Sequence, residues 1–397
     1  MIDGMGILLH LLISASLVGV SAGLILIPSK SLELENKILE VFVLIFAFSI
    51  VSGITLYAEF AFTNKEGLLY RLIHHPLGRS SLMGYVLINL SLLYLWLTKT
   101  QNIYSKKIVY LLLFFSSILL SAWSLAVNSI MQNPELSLYF TENPNQLSFE
   151  IIAFLSNDRN VFLRFTHNYI AFLILGLSLV FLVINNHTIA NQSKKTYAFH
   201  INIVILLANI SMLFSGHYQI EEVSKINTHK FTSIVGSENE FRIYFPGAKI
   251  SKQNDDVLGV DVTTLYPAFR YEGLKNKPLK YENNNKHEKT IFNLFHLMTL
   301  TWAFIIIFSL YHLFLLFKSK VIPFSSSLIA YMLPMIAIVC GWLVSELGRQ
   351  PWLFYKTILV ADIIQNNQLF NIFNNVFLQL ILLILVHRII FNIKNRT

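Results

Sequence analysis

The sequence predicts an all-α, polytopic membrane helical bundle of about nine transmembrane helices with one long outer loop, and three observations carry that expectation. Only 13% of the 397 residues are Asp, Glu, Lys or Arg, where a soluble domain of ordinary composition carries about a quarter. The apolar share is 54%, with Phe 32, and the mean hydropathy is +0.57. Those apolar residues also gather in unbroken runs of roughly twenty, the length that crosses a bilayer as a helix. Backbone polar groups in lipid must be satisfied inside the segment or in a closed barrel, and runs this long without alternation select helices.

The expected spans run over Ile7–Pro28, Ile38–Tyr57, Ser80–Thr98, Ile108–Met131, Arg164–Asn185, His200–Gly216, Thr290–Phe317, Ile322–Leu347 and Asn371–Phe391. The first lacks a basic leader and carries Asp3, so it reads as a retained helix. Pro334 is expected to kink the eighth. Residues 1–216 thus hold helices one to six, 217–289 an extracytoplasmic segment, and 290–397 helices seven to nine. The middle segment is long enough to be functional.

The net charge of +8 is spread singly through the connections, which argues against a nucleic-acid partner. Lys30 and Lys37, Lys99 with Lys106 and Lys107, Lys194 and Lys195, Lys318 and Lys320, and Lys394 with Arg396 fall in alternate connections. The positive-inside rule makes their side cytoplasmic and the N-terminus outer. Cys340 is the single cysteine, which excludes an internal disulfide, an iron–sulfur cluster and a thiolate zinc site.

Ionisable and soft-ligand residues are costly in a bilayer and mark function by default. His10, His167, Met298 and Glu346 are the four to weigh, and the alternating topology puts all of them near the outer face. Imidazole and thioether are axial ligands of haem iron, and a His/Met pair gives a low-spin, electron-transferring haem. The plain alternatives are a helix–helix hydrogen bond for each histidine, core packing for Met298, and an ion pair of Glu346 with Arg349. His187, His200, His312 and His387 read as packing histidines. His74, His75, His217 and His229 fall in outer loops without metal-ligand spacing.

The run Gly341-Trp342-Leu343-Val344-Ser345-Glu346-Leu347-Gly348-Arg349-Gln350-Pro351-Trp352 resembles the signature of subunit I of the cytochrome bd quinol oxidases. Trp123, Asn128 and Met131-Gln132-Asn133-Pro134 resemble that family's fourth helix and following loop. The surroundings of His10, Arg164-Phe165-Thr166-His167, Phe295-His296-Leu297-Met298 and, more weakly, Gly53-Ile54-Thr55 match further stretches in order. The resemblance covers essentially the whole chain.

It implies His167 and Met298 as axial ligands of a low-spin haem b. His10 and Glu346 become axial ligands of a high-spin haem b and a haem d or substituted haem, in either order. Trp342 and Arg349 fall among the haems, with the guanidinium offsetting propionates or Glu346. The long loop would bind quinol through Lys230 and Asn227, while a family glutamate falls on Val235. Two acidic positions of the family's proton supply fall on Ser80 and Ile88. The implied partners are a second membrane subunit, quinol, oxygen and the lipid of a bacterial cytoplasmic membrane. Two other readings use the same residues. One is a bd-like electron-transfer protein with altered donor or acceptor; the other is a transporter that uses Glu346 and Arg349 for substrate.

Overall fold

The computed structural model describes residues 4–27, 32–63, 79–98, 102–142, 157–185, 191–235, 242–244, 259–261 and 287–359. These form helices α1 (Gly4–Leu26), α2 (Leu32–Thr63), α3 (Arg79–Thr98), α4 (Ile103–Gln132), α5 (Pro134–Glu142), α6 (Arg159–Asn185), α7 (Asn191–Ile226), α8 (Thr228–Val235), α9 (Glu288–Phe317) and α10 (Phe324–Leu347). Two small antiparallel pairs complete the described residues: β1 (Arg242–Tyr244) with β2 (Gly259–Asp261), and β3 (Trp352–Phe354) with β4 (Ile358–Leu359). Among the described residues, seven helices (α1, α2, α4, α6, α7, α9 and α10) are long and apolar enough to cross a membrane, and α3 contains a shorter apolar helix. The chain is therefore a multi-pass membrane protein. The ninth expected span, Asn371–Phe391, lies outside the described residues, as do His74, His75, His187 and His387.

Helix ends depart from the apolar runs where polar side chains extend them. Asp158 accepts hydrogen bonds at Oδ1 from the amides of Asn160 (2.7 Å) and Val161 (3.1 Å), which starts α6 before Arg164. The helix α7 continues to Ile226 instead of ending at Gly216. Lys225 pairs there with Glu221 (3.0 Å) and Glu222 (2.8 Å) at one-turn spacing, and Arg159 of α6 reaches Glu222 at 3.4 Å. His217 and His229, expected in a loop, lie in α7 and α8. The helix α10 runs unbroken through Pro334.

The helices form two groups. In the first, α1 packs on α2 and α4, α3 packs on α4, and Phe46 of α2 meets Tyr85 of α3 at 5.6 Å between ring centroids. In the second, α6 packs on α7, α7 on α9, α9 on α10 and α10 back on α6, a closed square with α6 and α9 on its diagonal. The groups join where α1 crosses α6. A Cβ at Gly176 would strike the Ser16 carbonyl oxygen, and one at Gly19 the Leu173 carbonyl oxygen, so the two backbones touch.

Basic side chains hold one end of the bundle. Lys107 donates to the carbonyls of Ile25 and, at 2.8 Å, Ile27, covering free acceptors at the end of α1. Lys106 pairs with Glu35 at 2.8 Å, and Glu35 also accepts from Tyr110. Lys194 donates to the Asn185 carbonyl (3.1 Å) and Lys195 to Ser319 (2.7 Å). His312, read as a packing residue, is buried, bonds Ser326 through Nε2 at 2.7 Å and stacks on Phe181.

Candidate functional site

The four singled-out residues gather toward the end opposite those lysines. His167 lies in the first half of α6 and Met298 in the first half of α9, so the diagonal of the square sets them on facing helices. Each looks onto a glycine of a neighbouring helix. A Cβ on Gly216 of α7 would lie 3.5 Å from His167 Cε1, and one on Gly341 of α10 would lie 3.1 Å from Met298 Sδ. Ser215 Oγ stands 3.2 Å from His167 Nδ1.

In the first group His10 of α1 faces α2. Its Nδ1 is 2.8 Å from Ser52 Oγ, and a Cβ on Gly53 would lie 3.1 Å from its Cε1. Ser14 Oγ is 3.4 Å from Nε2, 3.5 Å from Nδ1, and 2.6 Å from Ser49 Oγ. Gly53, a weak match as sequence, thus takes a physical meaning as the floor beneath a ring.

Glu346 closes α10 and pairs with Arg349 one turn on, as the sequence allows; Arg349 Nη1 also donates to the Leu353 carbonyl. Arg349 is 4% exposed, and among the described residues its Nε has no hydrogen-bond partner. Trp342 sits half-buried one turn before Glu346. The turn after α10 is held from three sides. Asn227 Nδ2 donates to the Gly348 carbonyl at 3.1 Å, Gln132 Nε2 to the Ser345 carbonyl at 3.1 Å, and the Tyr355 amide to the Met131 carbonyl at 3.0 Å. Lys230 Nζ reaches Gln132 Oε1 at 3.4 Å, and its stem lies where a Cβ at Gly348 would come within 2.7 Å.

Asn227 and Lys230 are therefore buried, at 3% and 5% exposure, and dock α8 against the motif turn. Burial, then the Arg164 guanidinium and, more weakly, that of Arg349, holds the Lys230 amine well below the ordinary lysine range, with Glu346 opposing. Arg164 is itself buried, bonded to Asn160 (3.2 Å) and Asn128 (3.4 Å). The buried guanidiniums of Arg164 and Arg349 and the Lys230 amine thus all feel the Glu346 carboxylate, which Arg349 contacts directly, while Asp158 is committed to capping α6. Sequence reasoning found neither serine beside a histidine, nor the docking of α8. Serines are common in membrane helices, and the docking contacts join residues a hundred or so positions apart.

Among the described residues no three His, Cys, Asp or Glu side chains converge as for an ion held by side chains alone. A haem iron is already held by its porphyrin and takes only one or two donors from a protein.

No curated protein matches the sequence. The bd oxidase structure from Geobacillus thermodenitrificans matches with a TM-score of 0.73 at 13% identity, over 98% of this chain and 97% of that one, which shows a shared fold. The sequence profile of cytochrome bd terminal oxidase subunit I matches residues 28–396. That extent covers nearly the whole chain, the motif turn and Met298 included, and the chain belongs to the cytochrome bd terminal oxidase subunit I family.

Proposed function

We propose that the protein is the haem-bearing subunit of a bd-type quinol:oxygen oxidoreductase. His167 and Met298 would hold a low-spin haem b, and His10 and Glu346 a high-spin haem b and a haem d or substituted haem. The observation that carries this reading is the set of three glycines. His10, His167 and Met298 each pack against the bare backbone of a glycine on a neighbouring helix, where a Cβ at Gly53 or Gly341 would come within 3.1 Å of the ring or the sulfur. The buried guanidiniums of Arg164 and Arg349, the latter with an Nε that has no partner among the described residues, suit the propionates of such groups. Bound haem would supply the electron transfer and the iron at which oxygen reacts.

The chain's own residues bind, orient and neutralise. Arg349 donates to Glu346 and fixes the loop after α10 through Leu353. Gln132, Asn227 and Lys230 keep α8 against that loop, so a quinol ring contacting the outer side of α8 would meet a rigid surface. Asn227 and Lys230 act in this reading mainly by building the quinol surface, since both are buried.

Ile88 supports a narrower second reading. It is fully buried in the apolar core, and isoleucine has no proton to pass. Proton delivery along α3 is then absent at that position, and the protein would be a bd-like electron-transfer subunit with slow oxygen reduction. One experiment separates the readings. Purified protein should show a reduced-minus-oxidised absorption spectrum with a low-spin b component and at least one high-spin component. With an artificial quinol, oxygen uptake should be measurable and slowed in heavy water. Haems without oxygen uptake select the second reading, and protein without haem overturns both and favours the transporter.

The gathering of Lys106, Lys107, Lys194 and Lys195 at the opposite end supports an outer location for the site, with the N-terminus outside and the C-terminus cytoplasmic. Protease added to intact spheroplasts should then cut between Gln253 and Asp261 and slow quinol oxidation more than it alters the haem spectra. Cleavage confined to inside-out vesicles would reverse the orientation.

A further inference from the structure

The two histidines are held by the same device, although they stand on different helices in different halves of the bundle. His10 of α1 meets Ser52-Gly53 of α2, and His167 of α6 meets Ser215-Gly216 of α7. In both, the serine hydroxyl faces Nδ1 and the glycine that follows it lies under Cε1.

A serine hydroxyl has one proton to give. Ser52 Oγ donates to the Phe48 carbonyl at 2.7 Å, with the Ser49 carbonyl at 3.2 Å. Ser215 Oγ donates to the Met212 carbonyl at 3.2 Å. With that proton used, each hydroxyl can only accept from its histidine. The proton of each neutral ring then sits on Nδ1, and the lone pair on Nε2. Ser14 Oγ, close to His10 Nε2, has Ser49 as a nearer partner at 2.6 Å, so its own bond can leave Nε2 free.

We infer that Ser52 and Ser215 are positioning residues that fix the tautomer of His10 and His167 and strengthen each Nε2 as an iron donor, with Gly53 and Gly216 seating the rings. This inference rests on the haem reading above. A ring that gives its Nδ1 proton to an acceptor is a more basic ligand, and a more basic ligand favours ferric iron and lowers the reduction potential. The cradles also differ in depth. At 3.1 Å a Cβ on Gly53 would push the His10 ring, whereas 3.5 Å at Gly216 is ordinary contact.

The test is spectroelectrochemical titration of the purified protein, with haem content measured beside it. Ser215→Ala should raise the low-spin midpoint potential by on the order of tenfold in the oxidised-to-reduced ratio, about 59 mV for a one-electron couple. Ser215→Thr should return it to the wild-type value, and Ser52→Ala should raise a high-spin potential while leaving the low-spin one alone. If Ser215→Ala does not assemble, Ser215→Cys decides, because sulfur keeps the volume with a weaker acceptor and should shift the potential the same way by less. Gly53→Ala should lower haem content, and Gly216→Ala should lower it less, since its Cβ meets the ring only at ordinary contact distance. Haems bound with unchanged potentials in the serine variants overturn the inference and leave the haem reading standing. Wild-type protein without haem overturns the haem reading itself.

Discussion

Replacing Met298 by leucine is expected to abolish the low-spin haem signal or convert it to high spin, while the protein still assembles. Leucine keeps the side-chain volume nearly constant, a swap that costs less than about 1.5 kcal/mol in a packed interior. Sulfur is the atom lost, and it is the one that lies against Gly341. Carbon cannot ligate iron, so the effect on the spectrum should be all-or-none while the effect on stability stays small. A variant with an unchanged low-spin spectrum removes Met298 from the ligand set. The contrast between a large spectral change and a small change in thermal stability separates a ligand from a packing residue.

The second large effect should come from Gly176→Leu, with no change in any candidate ligand. A side chain there would enter the Ser16 carbonyl and the backbone of α1 at Gly19. Neither partner is the free end of a flexible side chain, so the helices must separate. Overpacking usually costs about 1–3 kcal/mol, and a backbone crossing belongs at or beyond the top of that range. The expected result is loss of assembled, detergent-extractable protein, with both helix groups affected because α1 and α6 join them. Normal yield and thermal stability would mean that the two groups tolerate a wider crossing. Milder loss from Gly53→Ala, where only a histidine ring must yield, gives the internal comparison.

Most of the helices were legible because lipid demands long apolar runs, and α9 and α10 start within a few residues of the runs that predict them. The end of α7 was not. Its last turns are polar, and their helicity rests on Glu221, Glu222 and Lys225, which hydropathy counts against a span. The candidate ligands were singled out through motifs that surround them, and the pairing of Glu346 with Arg349 was legible through simple helical spacing. The serines were not, since Ser52 and Ser215 look like any serine returning its proton to its own helix. Only their position opposite a histidine distinguishes them, and that is a fact about two helices at once. Lys230 and Asn227 were singled out for a ligand, yet their burial against Gln132 and Gly348 gives them structural work first.

The unbroken run of α7 ties two regions together in rotation as well as in distance. A helix of 36 residues is roughly 54 Å long, against about 30 Å of hydrocarbon, so α7 extends well beyond the lipid. Ser215 and Gly216, which seat His167, and Glu221 and Glu222, which face Arg159, ride on one rigid screw. Adding a single residue between Gly216 and Glu221 would turn everything beyond it by about 100°, swinging the acidic pair away from Arg159 and α8 away from the motif turn. Adding four would bring the acidic pair within about 40° of its original bearing, one helical pitch further out. The donor-side surface and the histidine cradle are in this sense phase-locked, so length changes in this stretch are tolerated by angle, not by number.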